Sequence, residues 1–180
     1  IEAIIALERN VAHRLIEEFM LAANEAVARF LDQQSAPALY RVHEAPDPQR
    51  VEKFEAFISG FGVSLAVPLE RVEPRHFQKL LARIAGKPEE RPIAFLMLRT
   101  MQKARYAPDD LGHFGLATDH YTHFTSPIRR YPDLVVHRAL RAARRAVAGR
   151  GLQDGDDDGR EDLAEVARHT SEMERRADEA

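Results

Sequence analysis

Two proline-marked helix starts lie five residues apart in Ser126-Pro-Ile-Arg-Arg-Tyr-Pro-Asp133, and they constrain the course of the chain more than any other feature. Proline holds φ near the helical value and has no N–H to leave unpaired, so it suits the first turn of a helix and breaks later turns. Ser126 places a capping hydroxyl ahead of Pro127, and Asp133 follows Pro132 in the first turn of a second start. The expectation is a short turn over 127–131, then a helix over 132–148. Free N–H groups at such a start favour an anion, and Arg129 and Arg130 add positive charge and fork-shaped donors beside them. This is chemistry for a phosphate.

An arbitrary Arg-Arg pair on a capped surface helix meets solvent or a carboxylate. The continuation argues for more than that. His137, Arg138, Arg141, Arg144 and Arg145 extend the charge at helical spacing, with Leu134, Val135 and Leu140 as apolar anchors. Tyr121, Phe124 and Tyr131 place flat rings near that charge, the combination that holds stacked single-stranded bases. Nucleic acid or another polyphosphate is the implied partner.

The rest of the chain reads as mostly helical with a few short strands, an α+β class. Ile4, Leu7, Val11, Leu15, Phe19, Ala22, Ala26 and Phe30 recur at steps of three and four, predicting an amphipathic helix over 3–31. Glu18 falls at the edge of that stripe, and Glu17 and Asn24 on its far side, two turns apart. Residues 39–43 alternate like a short strand. Asp47-Pro48 starts a helix to Ser59 ended by Gly60 and Gly62, and Glu73-Pro74 starts another that stops at Gly86. Pro92 opens a third, expected to carry Ile93, Phe95, Leu96, Leu98 and Met101 into the core. Residues 112–124 should be extended, 149–159 form an Asp/Gly-rich loop, and the last helix covers 161–180.

The run Tyr121-Thr-His-Phe-Thr-Ser-Pro-Ile-Arg-Arg-Tyr-Pro-Asp133 followed by His137-Arg138 resembles the signature of the RNB-domain exoribonucleases, the ribonuclease R and ribonuclease II family. Ile16-Glu-Glu-Phe-Met-Leu-Ala-Ala-Asn-Glu-Ala-Val-Ala28 is similar to another stretch of that domain. Leu39-Tyr-Arg-Val-His43, Arg99-Thr-Met-Gln-Lys-Ala-Arg-Tyr106 and Glu174-Arg-Arg-Ala-Asp-Glu-Ala180 fit in the expected order. The likeness is nearer to ribonuclease R and runs almost end to end, which implies that 1–180 is the C-terminal part of one RNB domain.

The resemblance implies processive 3′-to-5′ hydrolysis of single-stranded RNA to nucleoside 5′-monophosphates, with magnesium as cofactor. Arg129 matches the family's catalytic arginine. A Glu contacts the terminal ribose, placed on Glu18 with Glu17 as fallback. Arg130 and Tyr131 position neighbouring phosphates or the last base, Ser126 caps the helix that aims them, and Asn24, Tyr121 and His123 complete the substrate-binding set. The family's magnesium aspartates lie before the motif at Ile16, upstream of Ile1, so no metal ligand is expected in this chain and the isolated polypeptide is expected to be inactive. The Ile1 start without Met and the stop inside a charged helix read as a piece of a longer protein. A rival class is a non-catalytic RNA-binding or regulatory piece; another is a helical module whose arginines meet acidic proteins.

Other constellations are weaker. Asp154, Asp156, Asp158, Gly159 and Glu165 satisfy a calcium-loop pattern, but Glu161 stands where an aliphatic pairs with a second loop, and no second loop exists in the chain. His120 and His123 are three apart in an extended segment and so point to opposite faces, which argues against a zinc pair. With 44% hydrophobic and 31% charged residues the composition is that of an ordinary soluble chain, and the net charge of −3 excludes wholesale coating of nucleic acid while permitting a local basic groove. No transmembrane run is present, and the lack of cysteine suits a reducing cytoplasm.

Overall fold

The computed structural model describes residues 10–68, 71–150 and 162–179. Among them are six α-helices and one two-stranded sheet: α1 (Val11–Gln33), β1 (Tyr40–Val42), α2 (Pro48–Ser59), α3 (Pro74–Ile84), α4 (Glu90–Thr100), β2 (Arg105–Ala107), α5 (Tyr131–Val147) and α6 (Leu163–Asp178), with a 3-10 turn at Phe114–Leu116. The expected α+β class with helix in excess is what is observed. The parts of the expected first helix and calcium loop at 3–9 and 154–161 lie outside the described residues.

Helix starts follow local chemistry. Asn10 Oδ1 accepts the His13 N–H at 3.0 Å while His13 Nδ1 accepts the Asn10 N–H at 3.3 Å, a reciprocal cap on α1. Asp47 Oδ1 accepts the N–H groups of Gln49 and Arg50 ahead of Pro48. Glu90, two residues before Pro92, opens α4, because a first-turn proline removes no intrahelical bond.

Two apolar cores form. One gathers Ala28 and Leu31 of α1, Leu39 and Val42 around β1, Tyr106 of β2 and Val136 of α5. The other joins α2, α3 and α4 through residues such as Phe54, Ile58, Leu80, Ile84 and Ile93. Phe114 touches both sides, edge-on to Phe77 of α3 at 6.1 Å and to His43 at 6.3 Å. Gly115 allows this approach: a Cβ there would come within 2.6 Å of His43 Nδ1, which accepts the Gly115 N–H at 3.0 Å.

β1 and β2 are antiparallel, with Arg41 opposite Tyr106. A ribbon this short is marginal alone, and both its flanks are held. On the α6 side, Ser171 Oγ accepts the Tyr106 N–H at 2.9 Å and Arg41 pairs with both oxygens of Glu174 at 2.6 and 3.0 Å. On the other edge of β1, the Arg41 N–H reaches the Tyr121 carbonyl at 2.9 Å and Thr122 Oγ1 donates to the Leu39 carbonyl at 2.6 Å. The segment 112–124, expected to be extended throughout, forms no strand: its two ends run beside β1 and His43, and between them lie the 3-10 turn and a left-handed Ala117.

Three sequence expectations are corrected. Strand β2 has no counterpart among the elements expected from the sequence. Phe95 and Leu98 are exposed, at 63% and 68%, because α4 turns only Ile93, Met97 and Thr100 fully inward. Val11, Leu15 and Phe19 of the apolar stripe on α1 are also exposed, while Asn24, Ala28 and Leu31 are buried. Periodicity identifies a face without saying what covers it. The face turned inward is the one that carries Asn24, so Glu17, seven residues earlier and in line with it, is half-buried, and Glu18 is exposed.

Candidate nucleic-acid interface

The start of α5 is built on a closed turn. The Ser126 carbonyl accepts the N–H groups of Arg129 and Arg130 at 3.2 and 3.1 Å. The Ser126 N–H donates to Asp133 Oδ1 at 2.8 Å, and Arg130 Nη2 donates to the same oxygen at 2.8 Å. Asp133 lies in the first turn of α5 and is fully buried. Arg130, the residue capping α5, offers no side-chain cap. The expected cap by the Ser126 hydroxyl is not the one on α5, which starts from Arg130 with no side-chain cap, and Ser126 acts through its backbone. Ile128 and Arg129 form the exposed tip, and Tyr131 is partly exposed beside them. The Arg129 guanidinium makes no hydrogen bond or ion pair with any described residue, and only its backbone N–H is held.

Behind the turn is a buried polar floor. Asn24 donates from Nδ2 to Tyr121 Oη at 3.0 Å and accepts the Phe124 N–H through Oδ1 at 3.1 Å. His137 Nε2 bonds the Phe124 carbonyl at 2.9 Å, and the two rings stack at 4.1 Å. His123 Nδ1 is 2.9 Å from Tyr106 Oη. Burial pushes Tyr106 up to about 12 and, with the Arg130 and Arg41 charges adding to it, pushes His123 down to about 3. The pair is neutral at neutral pH. Burial, then the neighbouring His43, holds His113 at about 4.

The structure therefore brings together Asn24 with Tyr121, and Ser126 with Arg130. Asn24 and Tyr121 are buried and bonded to each other, so they hold the loop in place and do not face solvent. Arg129 and Tyr131 stand at the surface above them. Sequence reasoning passed over Asp133 as an organiser and Tyr106 as the partner of His123; the acid following Pro132 was the one available signal for the former. Along α5, Arg138, Arg141, Arg144 and Arg145 line a cavity of about 810 Å³ over Phe124 and Leu134, and cations near a helix C-terminus are favoured by its dipole.

His120 and His123 have different partners: His123 meets Tyr106, and His120 Nδ1 is 2.8 Å from Asp110 Oδ2 and 4.0 Å from Asp32 Oδ2. Asp32, Asp110 and His120 are the one set of three potential ligands that converge among the described residues. Magnesium takes oxygen donors in near-octahedral order. Here one donor is nitrogen, its hydrogen bond occupies one Asp110 oxygen, and the other accepts the Gly112 N–H at 3.2 Å. The set does not fit magnesium. Among the described residues, no helix is long and apolar enough to cross a membrane.

The family model for the RNB domain matches residues 1–146. Ribonuclease R of Aquifex aeolicus is 48% identical over 99% of this chain, and this chain spans 24% of that relative. Among solved structures, Mycoplasma genitalium RNase R in complex with ribose methylated single-stranded RNA superposes with a TM-score of 0.83 at 30% identity, over 93% of this chain and 26% of that one. Yeast Ssd1, described as a pseudonuclease, matches with a TM-score of 0.69 at 29% identity, over 92% of this chain and 20% of its own. The chain spans about a quarter of the length of the curated relatives it matches. With its arginine-bearing turn set at the start of α5 and the family model matched over most of its length, this chain belongs to the RNB-domain family.

Proposed function

We propose that this chain is part of a processive 3′-to-5′ hydrolytic exoribonuclease that acts on single-stranded RNA, and that Arg129 meets the scissile phosphate. The observation that carries this reading is the division of labour within the Arg-Arg pair: Arg130 is tied to Asp133 at 2.8 Å, and Arg129 is presented on a backbone-closed turn. A preorganised cation aimed at developing negative charge lowers the barrier without reorganising at the moment of reaction. Tyr131 stands close enough in sequence and exposure to stack a terminal base. Glu17, half-buried in line with Asn24, is the better placed of the two glutamates for the terminal ribose, and Glu18 becomes the fallback.

The reaction class uses magnesium, whose ligands we place outside the described residues, in a cytoplasmic protein. The chain alone is then inactive. Relatives named as ribonuclease R support the hydrolytic reading. The alternative is a non-catalytic RNA-binding or regulatory protein. Incubation of the full-length protein with magnesium and 5′-labelled oligo(A) separates them. Stepwise shortening with release of 5′-monophosphates is the expected result; tight RNA binding without shortening would establish the non-catalytic alternative.

A further inference from the structure

The turn that presents Arg129 has an unusual foundation. Its first residue, through the Ser126 N–H, and its last, through Arg130 Nη2, both end on one oxygen, Asp133 Oδ1, each at 2.8 Å. The carboxylate is wholly buried, and burying a charge is costly unless partners replace water. Three are present: the Arg130 guanidinium, the Ser126 N–H and the N-terminal end of α5. Asp133 Oδ2 and Arg130 Nε are both buried without a hydrogen-bond partner in the structure, so the pair meets through one oxygen and one nitrogen. A pair optimised for stability alone would use the two-point fork. The observed contact instead spends the single oxygen on closing the turn.

We propose that Asp133 is the positioning residue for Arg129: by pinning both ends of the 126–130 turn, it sets where the exposed guanidinium points. The inference rests on the catalytic reading of Arg129 given above. Between the pinned ends, the Ser126 carbonyl alone among the described residues holds the backbone. Releasing the Arg130 end would let the tip shift by an ångström or so while α5 stays formed. Misplacement on that scale costs about 10²-fold in rate.

The test uses the full-length protein and Asp133→Asn, which keeps an acceptor for the Ser126 N–H and removes the charge that holds Arg130. Single-turnover cleavage of labelled oligo(A) at saturating enzyme should fall about 10–100-fold, with RNA affinity changed by no more than about threefold. In an Arg129→Ala background the same substitution should add almost nothing, because the group it positions is gone. A general folding defect would instead multiply with Arg129→Ala. Amide exchange gives a readout free of activity: Asp133→Asn should speed exchange at Arg129 and Arg130 by at least about tenfold while the middle of α5 is unchanged. Should Asp133→Asn fail to fold, Arg130→Lys loosens the same hold and must show the same non-additivity and faster exchange. Wild-type rates in a folded Asp133→Asn protein, independent losses in the double variant, or unchanged exchange at the turn would each overturn the proposal. If Arg129→Ala itself leaves the rate intact, the catalytic reading fails, while the exchange result still reports whether Asp133 holds the turn.

Discussion

Asn24 and Tyr121 are joined by a 3.0 Å hydrogen bond across 97 residues of chain, and the other end of the same amide holds the Phe124 N–H. One buried side chain on α1 therefore fixes the loop that leads into the arginine turn. Asn24→Ala leaves a buried N–H and a buried hydroxyl with a lost partner, which should destabilise the fold by about 2–4 kcal/mol. Urea unfolding of the two proteins, read at a common slope, measures this. A loss below about 0.5 kcal/mol would mean that the loop is held elsewhere.

Arg129→Ala in the full-length enzyme should lower single-turnover cleavage by about 10²–10³-fold, the usual loss for one electrostatic donor. RNA affinity should change little. Arg129→Lys should recover only part of the rate, since an ammonium keeps the charge without the planar fork. Strongly weakened binding with a normal rate at saturation would turn Arg129 into a binding residue.

On α5 the expectation is the reverse. Arg144→Ala should leave single-turnover chemistry unchanged and lower the slope of log Kd against log salt by about 0.7, the value for one single-strand phosphate contact. An unaltered slope would remove Arg144 from the RNA path.

The two adjacent glutamates separate by exposure. Glu17→Ala should narrow the ratio of RNA to DNA cleavage, because a contact to the ribose 2′-hydroxyl is what distinguishes them. Glu18→Ala, on the exposed side, should leave that ratio as it is. The opposite pattern in the same assay would return the role to Glu18.

Burial keeps His113 near 4 and His123 near 3, against an ordinary value of 6.5. Between those values the unfolded chain binds protons that the folded chain does not. The stability associated with these neutral rings is therefore fully present above about pH 6.5 and is lost as pH falls toward 4 and then 3. Denaturation midpoints should drop over that window, and His113→Asn with His123→Asn should flatten the drop. A profile that stays equally steep in the double variant would assign the acid sensitivity to other groups.

The sequence by itself determined the helix starts and stops, because these depend on neighbours in the chain: Asp47 before Pro48, Glu73 before Pro74, and the two prolines around Arg129 and Arg130. It also determined the family, through the side chains of that last motif. Which face of each helix turns inward was decided only by the tertiary structure. The stripe of Val11, Leu15 and Phe19 carries the larger apolar side chains, yet α1 buries Asn24, Ala28 and Leu31, since contact with α5 and the loop at 121–124 selects the face. The same holds for the arginines. Adjacent in sequence and identical in chemistry, they are told apart only by Asp133, a carboxylate that folding of the first turn of α5 carries beneath one of them.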